Sequence, residues 1–474
     1  MTSALIDDSA GDRAPLDPLP KRVVFALSAG QGAMSILINL IGILLVFFYI
    51  PPEDANLPTL VTRTEFWIGF NAVAIIAAGG RLLDAVTDPA IAMISDRSTH
   101  PMGRRISLMR IGALPAVVAT ILLFVPPVEA QSAWNIVWLV GVQIVLYTAL
   151  TAYVTPCFAL VADLGRTPAE RLDLVTWTSV AWALGIVIAS LVTPLSAAFE
   201  WAGFTGLESW QGAVVVVGVI ALIGMYLPVF MIDEPRYARS SPTSVSLKES
   251  LSVVFANPFF RYYVAADFSY FCGLAIIQTG ILFYVTVLLE LDKALVAPLL
   301  GLMVLMALIL YPIVNKQAKR RSGKQLVVGS FLMTAAMFFG IVFLGKYPIP
   351  SILQAAAVVV LFSVPFSVLS VLPQWILSDI AEHSLLSAGD ATTGMFFGAR
   401  TFAQKIGQTL GIVIFAVFLS FGGDVGDDLG VRLSGVGGLV LYTIAAIIFS
   451  RYDETRLRTE LATLSAEVNS RQRR

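Results

Sequence analysis

The chain has 474 residues, 57% hydrophobic and only 13% charged, with 31 basic and 32 acidic side chains. Soluble domains carry about 25% charged residues, so this composition excludes a water-soluble globular protein and specifies one that spans a bilayer many times. The near-neutral charge balance offers no basic surface for nucleic acid, and no such partner is expected.

The first 20 residues are acidic and contain prolines, with no basic stretch ahead of an apolar core, so no signal peptide is read there and the N-terminus is expected in the cytoplasm. A helix needs about 20 apolar residues to cross the hydrocarbon. Runs of that kind fall at about 23–50, 65–94, 107–126, 134–164, 172–198, 211–232, 258–288, 295–315, 325–344, 352–378, 394–421 and 435–450, which predicts an all-α protein of twelve spans. With both termini inside, 22 of the 31 basic residues fall in cytoplasmic segments and only Arg63, Lys293, Lys346 and Arg432 in outer loops, a strong positive-inside asymmetry. Cys157 and Cys272 lie in apolar runs and read as packing residues. His100 and His383 are expected in loops.

The chain divides into a cytoplasmic segment 1–22, a six-helix half 23–232, a polar linker 233–257, a second half 258–450 and a cytoplasmic tail 451–474. The halves echo each other: "DRSTHPMGRR" (Asp96–Arg105) follows the second span, and "NKQAKRRSGK" (Asn315–Lys324) follows the eighth. Two six-span repeats carrying such loops resemble the major facilitator superfamily, which implies a solute site near the midplane between the halves. Asp96, Arg97, Gly103, Arg104 and Arg105 are then candidates for holding a cytoplasmic gate.

Within the second span, "RLLDAVTDP" places Arg81, Asp84 and Asp88 in eight residues. Asp84 and Asp88 are four apart and share a helix face, with Arg81 one turn back. Each ionised group at mid-bilayer costs roughly 2.5–3.5 kcal/mol on insertion scales, and two carboxylates against one guanidinium leave a site that a cation completes. Na⁺ suits carboxylate and hydroxyl oxygens, which makes Asp84 and Asp88 candidate metal ligands; the other possibility is that one aspartate takes a proton. An ion-pair network that only locks helices together is the structural alternative.

"RLLDAVTDP" with the basic loop after it resembles the second-helix signature of the glycoside–pentoside–hexuronide:cation symporters, the family of melibiose permease. "ERLDLVTWTSVAWALG" (Glu170–Gly185) and "LPQWILSDIAEHSLLSAGDATTGMFFGARTFAQKIGQTLG" (Leu372–Gly411) extend the resemblance into both halves. It implies that Asp84 and Asp88 bind the coupling Na⁺ or H⁺ with Thr151 on the fourth helix, and that Lys405 on the eleventh is their charge partner beside Arg81. No other cofactor is implied.

The sugar-binding groups of that family do not carry over. Gly32 beside Gln31 stands where an aspartate is expected, Val154 replaces an acid, Phe158 a tryptophan, and Thr178 or Ser179 an arginine. With Asp267 and Arg400 as candidate headgroup ligands, this suggests an amphipathic solute of the lysophospholipid kind. A sugar or glycoside is the alternative, and a proton-coupled drug exporter ranks lower. No nucleophile elbow, phosphate loop or histidine-rich metal set is present, so the protein is not expected to be an enzyme. It is expected to act as a monomer in a bacterial inner membrane, its partners being the bilayer and its solute.

Overall fold

The computed structural model describes residues 19–51, 57–61, 65–67, 70–71, 87–165, 167–238, 247–292, 295–388, 393–419, 421–423 and 425–472. Arg81 and Asp84 lie outside them. In hydrocarbon every backbone group must be paired within the protein, which favours helices. Eleven helices among the described residues are long and apolar enough to cross a membrane.

Helix α1 runs over Lys21–Tyr49, α2 over 87–97, α3 over Arg104–Leu123 and α4 over Ala133–Leu164. Next come α5 (Pro168–Ser190), its continuation α6 (Val192–Trp201) and α7 (Leu207–Met231). Short helices α8 (Glu234–Tyr237) and α9 (Leu247–Ala256) occupy the linker. The second half holds α10 (Pro258–Phe283), α11 (Val296–Ala318), α12 (Gly323–Val342), α13 (Ser351–Ala388), α14 (Thr393–Leu419) and α15 (Leu429–Ser450), followed by the tail helix α16 (Glu454–Gln472). In the first half α1 packs on α5 and α7, and α3 on α4 and α7. In the second, α10 packs on α14 and α15, α12 on α15, and α11 on α13. The halves meet where α11 and α13 lie against α5, and α14 against α4.

The sequence and the structure differ in three places. The start of the expected span 65–94 instead pairs Glu65–Trp67 with Phe70–Asn71 as two short antiparallel strands, β1 and β2. The Thr-rich, aromatic run there favours an extended backbone, and described helix begins only at Thr87. Helix α13 runs ten residues past its expected end, so His383 sits on a helix and not in a loop. There its Nε2 lies 2.7 Å from Glu460 on α16. Helix α15 begins at Leu429, ahead of the glycines that obscured its start. Those glycines let α15 approach α12: a Cβ at Gly435 would lie 3.0 Å from the Phe338 carbonyl oxygen. The tail helix α16 lies on the bundle, with Leu457 and Leu461 buried.

Both halves end in the same device. After the last helix of the first half, Glu234 accepts the backbone N–H groups of Arg105 (2.9 Å) and Ile106 (2.9 Å), capping α3. After the last helix of the second half, Glu454 accepts those of Gly323 (3.0 Å) and Lys324 (2.8 Å), together with the Ser322 hydroxyl, capping α12. Each carboxylate satisfies N–H groups that the helix start leaves unpaired and sits at the positive end of the helix dipole. Losing such a cap costs about 0.5–2 kcal/mol. Glu234→Ala should therefore lower the unfolding free energy in micelles by an amount in that range, and the denaturant midpoint with it, while Glu234→Gln, whose amide oxygen still accepts, should lose less. An unchanged midpoint in Glu234→Ala would contradict the capping role.

Candidate ion-coupling site between the halves

Asp88 is buried at 2% exposure, and its carboxylate is held from two elements. Lys405 of α14 brings its Nζ to 2.7 Å from Asp88 Oδ2, an ion pair that joins the two halves. Thr155 of α4 donates its hydroxyl to Asp88 Oδ1 at 3.2 Å. One turn away, the hydroxyls of Thr87 and Thr151 stand 3.4 Å apart, Thr87 donating. Two hydroxyl-bearing turns of α4 thus line the carboxylate-bearing face of α2. Lys405 lies twelve residues into α14, ~18 Å along its axis at 1.5 Å per residue, deep within a hydrocarbon core ~30 Å thick.

Glycine spacing explains how α14 delivers a lysine there. "GMFFG" puts Gly394 and Gly398 on one face, and a Cβ at Gly398 would lie 2.8 Å from Ala92 Cβ and 3.2 Å from the Asp88 carbonyl oxygen. That face presses on α2 of the first half. "GQTLG" puts Gly407 and Gly411 toward α10, where a Cβ at Gly407 would lie 2.7 Å from the Phe268 carbonyl oxygen. Small residues four apart let backbones approach closely, so α14 is clamped between its own half and the other with Lys405 between the two clamps.

Toward the loop-bearing end, the gate candidates form a second network. Arg105 is fully buried and pairs with Asp96 (2.6 Å) and Asp163 (2.9 Å). Its guanidinium also donates to Ser95 at 2.8 Å, and Arg104 pairs with Asp163 at 3.3 Å. Asp96 then reaches across to the second half, accepting the N–H groups of Gly394 (3.0 Å) and Met395 (3.1 Å) at the start of α14. Burial raises the Asp96 carboxyl above its ordinary value, and the charges of Arg105 and Arg104 pull it down. Gly103 supports the turn with φ +104° and leaves no room for a Cβ beside Glu234. Arg97 is exposed.

Two further ties cross between the halves at this end. Arg171 at the start of α5 pairs with Asp379 (2.7 Å) and with Glu382 on the extension of α13. Asp173 accepts from Asn315 of α11 at 2.8 Å and pairs with Lys319 just past its end.

The other candidates fall into place differently. Asp267 of α10 is buried and paired with Arg400 of α14 at 3.0 Å, with Gln404 donating to the same carboxylate at 3.1 Å, and Arg400 lies over the Tyr263 ring at 5.8 Å. These two candidates satisfy each other within one half. Gln31 of α1 is buried, and its Nε2 has no hydrogen-bond partner among the described residues. Val154 is half-buried, and Phe158 stacks on Trp182 of α5 with ring centroids 6.5 Å apart. Thr178 bonds its own helix at the Val175 carbonyl (2.9 Å), and Ser179 donates across the halves to the Ser370 carbonyl at 3.3 Å. Position 32 has no room for a side chain, because a Cβ there would lie 2.8 Å from the Ala181 carbonyl oxygen of α5. Gly32 marks a close helix crossing and not a lost ligand.

Comparison with known proteins decides the family. A family model described as "MFS/sugar transport protein" matches residues 26–450. The chain belongs to this family. It is 25% identical over 447 residues to the inner membrane symporter YicJ of Escherichia coli, covering 89% of each chain. It is 22% identical to an isoprimeverose transporter of Lactiplantibacillus pentosus, over 85% of this chain and 81% of that one. Among solved structures, the proton:xylose symporter XylE superposes with a TM-score of 0.67 at 13% identity, over 94% of this chain and 98% of that one. The fold is therefore the all-α major facilitator fold, and the protein is an integral membrane transporter of this family and not an enzyme.

Several residues of this MFS/sugar transport family member escaped sequence reading. Thr155 and Thr87 on the Asp88 face, Trp182 beside Phe158, and the acids Asp163, Asp379 and Glu382 of the loop-end network carry no sequence signal of their own. The glycine pairs of α14 were a legible signal, and so was the repeat of "DEPR" (Asp233–Arg236) in "DETR" (Asp453–Arg456), which marks both capping glutamates. A buried ion pair broken on one side leaves an uncompensated charge. In a double-mutant cycle of Asp88→Asn and Lys405→Ala, unfolding in micelles should give a coupling of about 1–3 kcal/mol, and additive effects would show that the two groups do not interact.

Proposed function

We propose that this protein is a cation-coupled symporter of a sugar or glycoside, working by alternating access between the two halves in a bacterial inner membrane. The observation that carries the proposal is the Asp88–Lys405 ion pair across the halves, with the Thr155 hydroxyl on the same carboxylate. Without the cation, the Lys405 ammonium neutralises Asp88. When Na⁺ or H⁺ enters, it takes that role together with Asp84, and Lys405 is released. The link between α2 and α14 then weakens in step with binding. Thr151 supplies a further hydroxyl oxygen on the same face of α4. Arg81 balances the second carboxylate.

The alternating step requires the loop-end ties of Asp96, Arg171 and Asp173 to part when that side opens. One charge falling through 100 mV supplies about 2.3 kcal/mol, which supports roughly 50-fold accumulation at ~1.4 kcal/mol per decade.

For the solute, the sugar reading replaces the lysophospholipid expected from the missing ligands. The names of the relatives, one an isoprimeverose transporter, favour it. So does the loss of the argument from Gly32, a packing position. Buried polar groups without partners among the described residues are another support: Ser28 and Gln31 on α1, Gln143 on α4 and Gln374 on α13. An unpaired buried polar group costs about 1–3 kcal/mol, and solute hydroxyls would recover that. The Phe158–Trp182 pair offers the apolar face of a sugar ring a flat surface, in keeping with sites that combine aromatic walls and a few polar groups.

Asp88→Asn should abolish uphill uptake in proteoliposomes under an imposed Na⁺ or H⁺ gradient while folded protein is recovered at wild-type yield. Accumulation that survives with unchanged cation dependence would refute the coupling role. In the same vesicles, a panel of pentosides and hexosides should include one taken up saturably and undiminished by excess lysophospholipid. Gradient-driven uptake of lysophospholipid with no response to any sugar would overturn the choice of solute.

A further inference from the structure

The basic loop of the second half is not a copy of the first. In the first half, the arginines after the glycine, Arg104 and Arg105, are buried and paired with acids. In the second, the basic run precedes the glycine, and Arg320 and Arg321 are exposed with no ion pair or side-chain hydrogen bond among the described residues. They border a cavity of about 400 Å³ between the α11–α12 turn and the start of α16. Lys319, Arg320, Arg321 and Arg458 line it, against the single carboxylate of Glu454, with the Ser322 hydroxyl at its edge. The N–H groups of α12 are not the attraction, because Glu454 already takes them. What remains is an excess of cationic side chains around a space large enough for a phosphate group; Lys319 pairs with Asp173 and Arg458 with Glu454, while Arg320 and Arg321 have no side-chain partner among the described residues.

The depth of the cavity decides the ligand. On α11 the exposed apolar residues Ile309 and Ile313 form the lipid-facing surface, and Lys319 follows Ile313 by six residues, ~9 Å along the axis. That distance carries the chain from hydrocarbon into the headgroup layer, where basic pockets meet anionic lipids. We infer that this cavity binds the phosphate of an anionic glycerophospholipid of the cytoplasmic leaflet, through Arg320 and Arg321, with Arg458, which is paired with Glu454 at 2.6 Å, on its wall. Lys319 stands at the boundary between this site and the tie to Asp173 of α5, so a bound phosphate competes with a contact between the halves.

The test uses the full chain in uncharged micelles at low salt. Short-chain phosphatidylglycerol is titrated and binding read by a fluorescent competitor, beside phosphatidylcholine of the same chain length and soluble glycerol phosphate. Phosphatidylglycerol should bind best. With each arginine near the surface contributing ~1 kcal/mol, about fivefold, Arg320→Gln/Arg321→Gln should weaken binding about 30-fold. The control Lys21→Gln/Arg22→Gln, which removes two exposed basic residues elsewhere, should change it less than twofold. The pair at 320 and 321 makes no contact that folding needs, and an unchanged unfolding midpoint verifies this. Equal losses in both double variants would reduce the effect to general surface charge and overturn the site. Glycerol phosphate binding as tightly as phosphatidylglycerol would overturn the lipid assignment, and so would phosphatidylcholine binding equally well.

Discussion

A charge inside hydrocarbon must be matched by another charge, and this requirement organises the molecule. Asp88 and Lys405 sit on helices from different halves. Neither half can move away without exposing its own ion to an unfavourable surrounding, unless something else arrives to compensate. A mobile cation can do that. Under the proposed function, the same electrostatic requirement that makes the pair costly to break also makes breaking it conditional on the coupling ion.

The ties at the loop-bearing end follow the same logic in a different setting. Asp96 faces the start of α14, so the helix carrying Lys405 is capped from the other half. Arg171 and Asp173 of α5 hold α13 and α11 in turn. Helix α14 is therefore anchored twice to the first half, once at its end and once ~18 Å deeper. A change at Asp88 has a rigid element through which to reach the ties at the loop-bearing end. The glycine pairs on its two faces let it pack against both α2 and α10 without side chains in between.

Most of this architecture was legible from hydrophobic runs and charge. Eleven of the twelve expected spans are helices among the described residues, the paired loops follow from charge placement, and the cost of charge in a bilayer leaves few residues such as Asp88 to choose among, with Lys405 marked by the family resemblance. What composition could not supply was distance. Thr155 looked like any polar residue of a membrane helix until α4 brought its hydroxyl to Asp88. Asp267 and Arg400 each looked like a ligand waiting for a headgroup, yet they lie 133 positions apart in sequence and pair with each other. Gly32 shows the opposite limit: a missing carboxylate suggested a changed solute, whereas the backbone of α5 leaves no space for one. The start of the second span was misread for a local reason, since apolar length alone does not distinguish a helix from a short β-prone run.

The central claim is that Lys405 and the coupling cation compete for Asp88. Equilibrium binding of that cation to purified protein tests it directly, with Na⁺ followed by calorimetric titration and H⁺ by potentiometric difference titration. Replacing Lys405 by alanine removes the competing ammonium, so the affinity for the coupling cation should rise, by about tenfold for ~1.4 kcal/mol of lost competition. An affinity equal to or weaker than that of the wild type would contradict the account and leave the Asp88–Lys405 pair as a structural contact alone.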